Sequence, residues 1–232
     1  MKETLQTSKE AILPSPVAGG ASPARQRVLE FACLLFSEAG FHGTHLREVC
    51  KRAGVNIAGV CYYFHSKEGL YEAVTREAAR RLSAQDEEVR DGSAAVPPEE
   101  RLQEIVESLF EKLSGERAWI AKLLARELVD PVSGMAGSVS AGLEKDLVLL
   151  EGVISQLLGP RANRETARLH ALSVVSQSVF YCLAGENLHH VFPQLSQRLP
   201  DRPSLARHVA QRALGGLGHG ANPEEPTAEQ AG

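Results

Sequence analysis

Two short helical patterns joined by a glycine turn lie near the start of this 232-residue chain. In the first, apolar residues recur at i, i+3, i+4 and i+7 over about two turns; they are Leu46, Val49, Cys50 and Ala53. We predict Thr44 as the N-cap of this helix, Gly54 as its end, and Asn56 as the N-cap of a second short helix over residues 57–64. Two short helices with a glycine between them indicate a helix-turn-helix unit.

Longer helical patterns flank this unit. The first runs from about Pro23 to Ala39, with proline at its first position and Gly40 as a left-handed cap. The last starts near Lys67, with Ser66 as its N-cap, and runs to about residue 88. The residues predicted to face inward on it are Leu70, Ala73, Val74 and Ala78. The first helix is predicted to pack across both short ones.

The remainder of the chain also has a helical pattern. Beyond a linker over residues 91–98 we predict helices over 99–113, 117–129, 139–158, 164–185 and 204–214. Because no alternating strand pattern is found, the fold class is predicted to be all-α. The predicted domains are a disordered arm (1–22), a helix-turn-helix domain (23–75), a larger helical domain (76–214) and a disordered tail (215–232).

Composition and charge narrow the class of protein. No run of about 18 apolar residues exists and the first 20 residues have no apolar signal core, so neither a membrane span nor a secretion signal is expected. Four widely spaced cysteines favour a cytoplasmic protein without disulfides. The net charge is −4, but residues 25–81 have nine basic and six acidic side chains, a local +3. This distribution suits a protein that contacts phosphate with one end.

The segment over residues 24–73 resembles the tetracycline-repressor-like (TetR) family. The residues that carry the resemblance are Phe36, Gly40-Phe41, Gly43-Thr44, Ala53-Gly54-Val55, Tyr62-Tyr63-Phe64 and Ser66-Lys67-Glu68-Gly69-Leu70. The resemblance implies phosphate contacts from Thr44, Tyr63 and Lys67. It implies major-groove positions at Ile57, Ala58, Gly59, Cys61 and Tyr62. Gly59 and Cys61 depart from the family pattern, in which Thr or Ser and Tyr are usual, so the DNA sequence that is read cannot be carried over.

The residues themselves agree with a groove-entering helix. From Asn56 to Tyr62 they are small or uncharged, which permits close approach to base edges. Ile57 and Ala58 are candidates for thymine methyl contacts, and Asn56 for a base edge or a phosphate. The alternatives are that Tyr62 and Tyr63 are core aromatics and that Lys67 is a solvated helix-start lysine. Phe64 is expected in the core, and Cys61 is expected to be inert rather than a redox sensor.

The resemblance implies that the C-terminal half binds an inducer and forms a dimer. Residues 126–131 are similar to a branch of the family that includes regulators of drug-efflux or drug-sensitivity genes. Pocket candidates, each with plain core or surface as its alternative, are Trp119, Leu123, Glu127, Met135, Gln177 and Tyr181. Helices 164–185 and 204–214 are predicted to form the subunit interface, the alternative being that both lie inside the subunit. The face predicted for close approach includes Ala171, Val174, Val175, Ser178, Val179, Cys182 and Leu183.

Together these features predict a homodimeric repressor that a hydrophobic or drug-like inducer releases from palindromic DNA. The alternatives are an activator, a regulator that responds to a protein or redox signal, and a purely structural helical protein. Enzyme activity is not expected, because the chain has no P-loop, nucleophile elbow, dinucleotide fingerprint or HExxH motif. No cofactor is expected. Glu186, His189 and His190 have helical spacing, but no further ligand completes a zinc set, so a surface patch is favoured.

Overall fold

The computed structural model describes residues 22–83, 96–132, 137–184, 188 and 200–218. Throughout these segments the regular structure is helical, which confirms the predicted fold class. The helices of the first half are α1 (Pro23–Gly43), α2 (Leu46–Ala53), α3 (Ile57–Phe64) and α4 (Lys67–Ser83). Those of the second half are α5 (Pro98–Lys112), α6 (Ala118–Val129), α7 (Glu144–Leu158), α8 (Arg164–Ala184) and α9 (Arg202–Gly218).

The chain divides into two units. The first contains the residues up to Ala79 together with Ser114–Val139, and so includes α6. The second contains Arg80–Leu113 and the residues from Ser140 onward. This division differs from the predicted boundary at residue 75, because α6 packs against α1 and joins the N-terminal helices despite its distance in the sequence.

The core of the first unit forms where α1 packs across α2 and α3, as predicted. Completely buried residues come from each of these helices and from α4; they are Val28, Ala32, Phe36, Val49, Val60, Leu70 and Val74. An aromatic cluster extends this core, since the ring of Tyr71 meets those of Phe36 and Phe41 edge-on at 5.0 and 5.2 Å. Burial of this apolar surface fixes the short helices that could not be stable alone.

The junction between α1 and α2 differs from the prediction. Gly40 breaks α1 with a positive φ of 73°, as expected, but its ψ of 178° is extended rather than left-handed helical. The N-cap of α2 is His45, and Thr44 is instead the C-cap of α1. The reason is the Thr44 hydroxyl, which donates to the carbonyls of Leu35 (3.1 Å) and Gly40 (2.7 Å).

The second unit packs α5, α7, α8 and α9 together. A buried ion pair joins two of these helices: Lys112 Nζ lies 2.8 and 3.0 Å from the two carboxylate oxygens of Asp146. Lys112 lies in the last turn of α5 and Asp146 in the first turn of α7, so each charge also complements its helix dipole.

Helix ends in this half show two further departures. Turns of 3-10 helix precede α6 and α7, at Gly115–Arg117 and Ser140–Leu143, so both α-helices begin later than predicted. Helix α9 continues to Gly218, so the predicted disordered tail is wrong for residues 215–218. The predicted arm up to residue 21, most of the predicted linker and the tail from residue 219 lie outside the described residues.

Candidate nucleic-acid interface

Helix α3 presents an uncharged surface. Its inward residues are Val60 and Phe64, which are 0% and 4% exposed. Its outward residues, which we call the α3 face, are Ile57, Ala58, Cys61 and Tyr62. Ile57 is 50% and Tyr62 78% exposed, so Tyr62 is not a core aromatic. An exposed helix face of this composition can enter a major groove without placing a charge against the base edges.

The start of α3 is fixed by its cap and by the preceding turn. Asn56 Oδ1 accepts a hydrogen bond from Gly59 N at 2.8 Å, which confirms Asn56 as the N-cap. Gly54 ends α2 in the left-handed conformation, with φ 65° and ψ 37°. Gly59 is half-buried and lies behind the cap, so it is less open to a ligand than its neighbour Ala58.

Tyr63 links α3 to the start of α1. Its hydroxyl lies 3.0 Å from Ser22 Oγ, and its ring meets that of Tyr62 edge-on at 5.1 Å. Nearby, the Arg25 guanidinium lies 5.1 Å from the centre of the Phe64 ring. Tyr63 is half-buried, and its hydroxyl therefore sits among groups of the α1 N-terminus at the edge of α3.

Lys67 is held in place by the end of α1. Its ammonium lies 4.7 Å from the centre of the Phe41 ring and donates to the His42 carbonyl at 3.5 Å. The start of α4 is closed by the predicted cap, because Ser66 Oγ accepts a hydrogen bond from Gly69 N at 3.2 Å. The Ser66 hydroxyl also lowers the pKa of the neighbouring Glu68 carboxyl. A cation is thus placed at a helix N-terminus, a site that suits an anion.

Thr44, which the resemblance places among the phosphate contacts, is 2% exposed in the structure. Its hydroxyl proton is already directed to carbonyls of α1. The buried hydroxyl therefore stabilises the α1–α2 junction and is not part of the surface formed by Tyr63 and Lys67.

Two residues near this surface are absent from the sequence-based candidates. Arg126 of α6 donates from Nε to the Ser37 carbonyl at 2.9 Å and from Nη2 to the Glu38 carbonyl. Tyr71 of α4 is 2% exposed, and burial, with a smaller effect of the Glu127 and Asp130 carboxylates, raises the pKa of its hydroxyl to about 12. The only sequence signal for Arg126 was the short resemblance over residues 126–131, which does not reveal a role.

The candidates for a ligand pocket are divided between the two units. Trp119 and Leu123 are buried on α6, and the half-buried Glu127 accepts a hydrogen bond from Val139 N at 3.3 Å. Gln177 and Tyr181 are half-buried on α8, where the Tyr181 ring lies 6.4 Å from that of His208. Met135 lies outside the described residues.

Among the residues placed by the structure, no group of three or more His, Cys, Asp or Glu side chains could hold a metal ion. Glu186, His189 and His190 lie outside these residues. Every helix in the described segments is too short or too polar to cross a membrane.

Comparison with known proteins agrees with this arrangement. The family described as "Bacterial regulatory proteins, tetR family" matches residues 28–74. The "HTH-type transcriptional dual regulator CecR, C-terminal domain" matches residues 98–217, about half of the chain. The HTH-type transcriptional regulator UidR of Escherichia coli K12 is 30% identical over 111 residues, 48% of this chain and 55% of the relative. The matched segment thus spans about half the length of this curated relative.

Solved structures show the same fold. A TetR-like transcriptional regulator from Rhodococcus sp. RHA1 superposes with a TM-score of 0.64 at 19% identity, covering 84% of this chain and 96% of the other. FadR of Bacillus subtilis in complex with stearoyl-CoA superposes with a TM-score of 0.60 at 17% identity, covering 82% and 97%. With a matching family N-terminal domain, a matching C-terminal domain and this fold, the chain belongs to the TetR family of bacterial regulatory proteins.

Proposed function

We propose that this protein is a DNA-binding transcriptional regulator that reads a specific operator with the α3 face. The observation that carries the proposal is the exposed, uncharged surface of α3 beside the anchored cation of Lys67. Ile57 and Ala58 are assigned to contacts with thymine methyl groups. The Asn56 amide N–H₂ and Gly59 complete the proposed groove-facing set, at the edge of the α3 face.

Phosphate contacts are assigned to Tyr63 and Lys67. Both groups lie near the C-terminal end of α3, since Tyr63 is in the last turn of this helix and Lys67 begins α4 three residues after it. Such contacts fix the position of the protein on the duplex but carry no sequence information. The role assigned to the whole surface is regulatory, in the cytoplasm, and not enzymatic.

We propose that the regulator is a homodimer formed through α8 and α9. These two helices pack together in the second unit. The observation in favour is a row of exposed apolar side chains on α8: Leu169, Leu172 and Phe180 are 59%, 43% and 51% exposed. Exposed apolar rows of this kind mark interaction surfaces. A two-fold dimer places two recognition helices about 34 Å apart, one turn of DNA.

We further propose that a hydrophobic small molecule releases the repressor from DNA. FadR, which has this fold, was crystallised with stearoyl-CoA, and an apolar ligand of similar character suits the buried Trp119 and Leu123. Release requires that the ligand bind the DNA-free state more tightly than the DNA-bound state. Because the C-terminal family is named after a dual regulator, the transcription assay must be able to detect activation as well as repression.

The experiment that tests the proposal is selection of bound fragments from the genomic DNA of the source organism, followed by sequencing. Recovery of a palindrome supports the proposal. An Ala58→Arg variant should change or abolish that sequence preference while remaining a dimer, because the arginine projects from the α3 face. Selection of the same sequence by the variant would refute the groove assignment, and recovery of no enriched sequence by the wild type, with and without fatty acyl-CoA, would refute the function.

A prediction for phosphate binding follows from the position of Lys67. Lys67→Ala should weaken binding to all DNA sequences and reduce the slope of log affinity against log salt by about one. Fluorescence anisotropy over a salt series measures both quantities. Lys122→Ala removes a cation from the exposed surface of α6 and serves as the control. An unchanged slope for Lys67→Ala would remove this residue from the phosphate contacts.

A further inference from the structure

The last turn of α6 contacts two backbone carbonyls of α1 through Arg126. The Arg126 guanidinium donates to the carbonyls of Ser37 and Glu38, which lie 89 and 88 positions earlier in the chain. Carbonyls in the last turn of a helix have no partner within that helix, so a side chain from elsewhere must satisfy them or leave them to water. A planar guanidinium has two donors in the spacing that two successive carbonyls require.

The absence of a side chain at Gly40 leaves room for the Arg126 guanidinium. A Cβ atom at position 40 would lie 3.1 Å from Arg126 Nη1, closer than ordinary van der Waals contact. The positive φ of Gly40 also turns the chain away from the α1 axis at this point. The break in α1 and the Arg126 contact therefore occur together.

The residues that follow the break hold Lys67. Phe41 places its ring 4.7 Å from the Lys67 ammonium, and the His42 carbonyl accepts a hydrogen bond from it. Phe41 is itself packed against Tyr71 of α4, with ring centres 5.2 Å apart. A continuous series of contacts thus runs from Arg126, through the end of α1, to Lys67.

We infer that Arg126 is a positioning residue for DNA binding that acts through Lys67. It fixes the end of α1, and the end of α1 holds the Lys67 ammonium where a phosphate contact is proposed. This inference rests on the proposed function and adds to it a residue outside the DNA-contacting surface. Because α6 also has the buried Trp119 and Leu123, the same helix holds the cation in place and has two of the candidate ligand contacts.

The first test compares Arg126→Gln with Lys122→Gln, which removes an exposed cation from the same helix. Operator affinity is measured by fluorescence anisotropy with the folded fraction checked by circular dichroism. Arg126→Gln should weaken binding about tenfold, the upper part of the range for residues that act through others, while Lys122→Gln should leave it unchanged. A residue that only stabilised the fold would lower the melting temperature and leave the affinity of the folded protein intact.

The second test is a double-mutant cycle with Lys67→Ala. If Arg126 acts through Lys67, Arg126→Gln should weaken binding less than about twofold once Lys67 is absent, because coupled residues are not additive. Additive losses, or a further fall in the salt slope of about one in the Lys67→Ala background, would show that Arg126 contacts the DNA independently and would overturn the inference.

The remaining outcomes distinguish failure of the inference from failure of the proposed function. Wild-type affinity for a folded Arg126→Gln protein overturns the inference while leaving the proposed function in place. If Arg126→Gln does not fold, Arg126→Lys replaces it: a lysine can satisfy one carbonyl at a time, so a loss of about threefold is expected, and wild-type affinity overturns the inference. Failure of the wild-type protein to bind any DNA refutes the proposed function itself.

Discussion

The hydroxyl of Thr44 lies inside the α1–α2 junction rather than at its surface. A threonine before a short helix is ordinarily assigned to the N-terminus of that helix. Here the nearer partners are carbonyls of the preceding helix, left open by the break at Gly40. Thr44 therefore supplies a hydrogen-bond donor to the open carbonyls at the end of α1, and His45 takes the N-cap position of α2.

Cys61 offers a direct test of the α3 face. It is exposed, whereas Cys33 and Cys50 are buried and burial raises the pKa of the Cys182 thiol to about 11. Since the thiolate is the reactive form, iodoacetamide should modify Cys61 first. Operator DNA should slow this modification in proportion to the bound fraction, as measured by mass spectrometry. Modification of Cys182 provides the internal control, and a Cys61 rate that saturating DNA leaves unchanged would contradict the proposed orientation of α3.

Tyr71 predicts a specific alkaline dependence of stability. Its pKa is raised to about 12 by burial, above the ordinary value of about 10. The unfolded chain therefore loses this proton first, so the contribution is complete below about pH 10 and is lost as the pH rises towards 12. The free energy of unfolding should fall by up to about 1.4 kcal/mol per pH unit in this window. Tyr71→Phe should show a shallower fall in urea unfolding series; parallel curves for the two proteins would contradict the assignment.

At the scale of elements, capping residues close in the sequence determine where the helices end, whereas contacts between distant residues determine which helices pack together. Gly54, Asn56 and Ser66 act within three or four residues of themselves, and their capping roles were predicted correctly from the sequence. Arg126 contacts α1 across 88 residues and Lys112 contacts Asp146 across 34, and neither pairing has a periodic signature. The sequence therefore predicted which helices form, but not that α6 would pack on α1.

The apolar pattern of α8 shows the same limit. The sequence predicted that Ala171, Val174 and Ser178 would face a second subunit, but these residues are buried inside the unit. Periodicity identifies an apolar face without identifying what covers it. The exposed row on α8 is a different face, and its leucines and phenylalanine lie among charged and small residues that weaken the pattern.

Removing one partner of the buried ion pair between α5 and α7 should lower the free energy of unfolding strongly. Asp146→Asn removes the carboxylate charge that faces the buried Lys112 ammonium and should lower the free energy of unfolding by about 3–5 kcal/mol. The double variant Lys112→Met/Asp146→Leu should lose far less, because both desolvated charges are removed. Urea unfolding measures each value. Glu151→Gln, which breaks the more exposed pair with Arg168, should cost no more than about 1 kcal/mol. Equal losses for the single and double variants would show that the pair is not the cause.

At the scale of the whole molecule, operator binding and dimer formation, the two proposed roles, depend on each other. Affinity for a palindrome depends on two α3 faces bound at the same time, which requires a dimer. The second unit has an exposed row of apolar side chains on α8 that could form the contact between subunits. Each unit has its own buried core, so the surface of the second can be altered while the α3 face remains folded.

Substitution on the exposed row of α8 should therefore separate the subunits. Phe180→Glu and Leu172→Glu are expected to give monomers in analytical ultracentrifugation, since a charge is placed in an apolar contact. Val148→Glu, at an exposed apolar residue of α7, is the matched control and should remain dimeric. Palindrome affinity should fall with loss of the dimer. Dimers formed by both α8 variants would show that the interface lies elsewhere.

The uncharged α3 face also has a thermal consequence. Ile57 and Tyr62 are largely exposed in the free protein, and a matched groove would cover them. Covering apolar surface lowers the heat capacity, whereas contacts with the phosphates alone do not. Operator binding would thus have a negative heat-capacity change that binding to random DNA lacks. Because apolar association weakens on cooling, this regulator would distinguish its operator from the rest of the genome better in a warm cell than in a cold one.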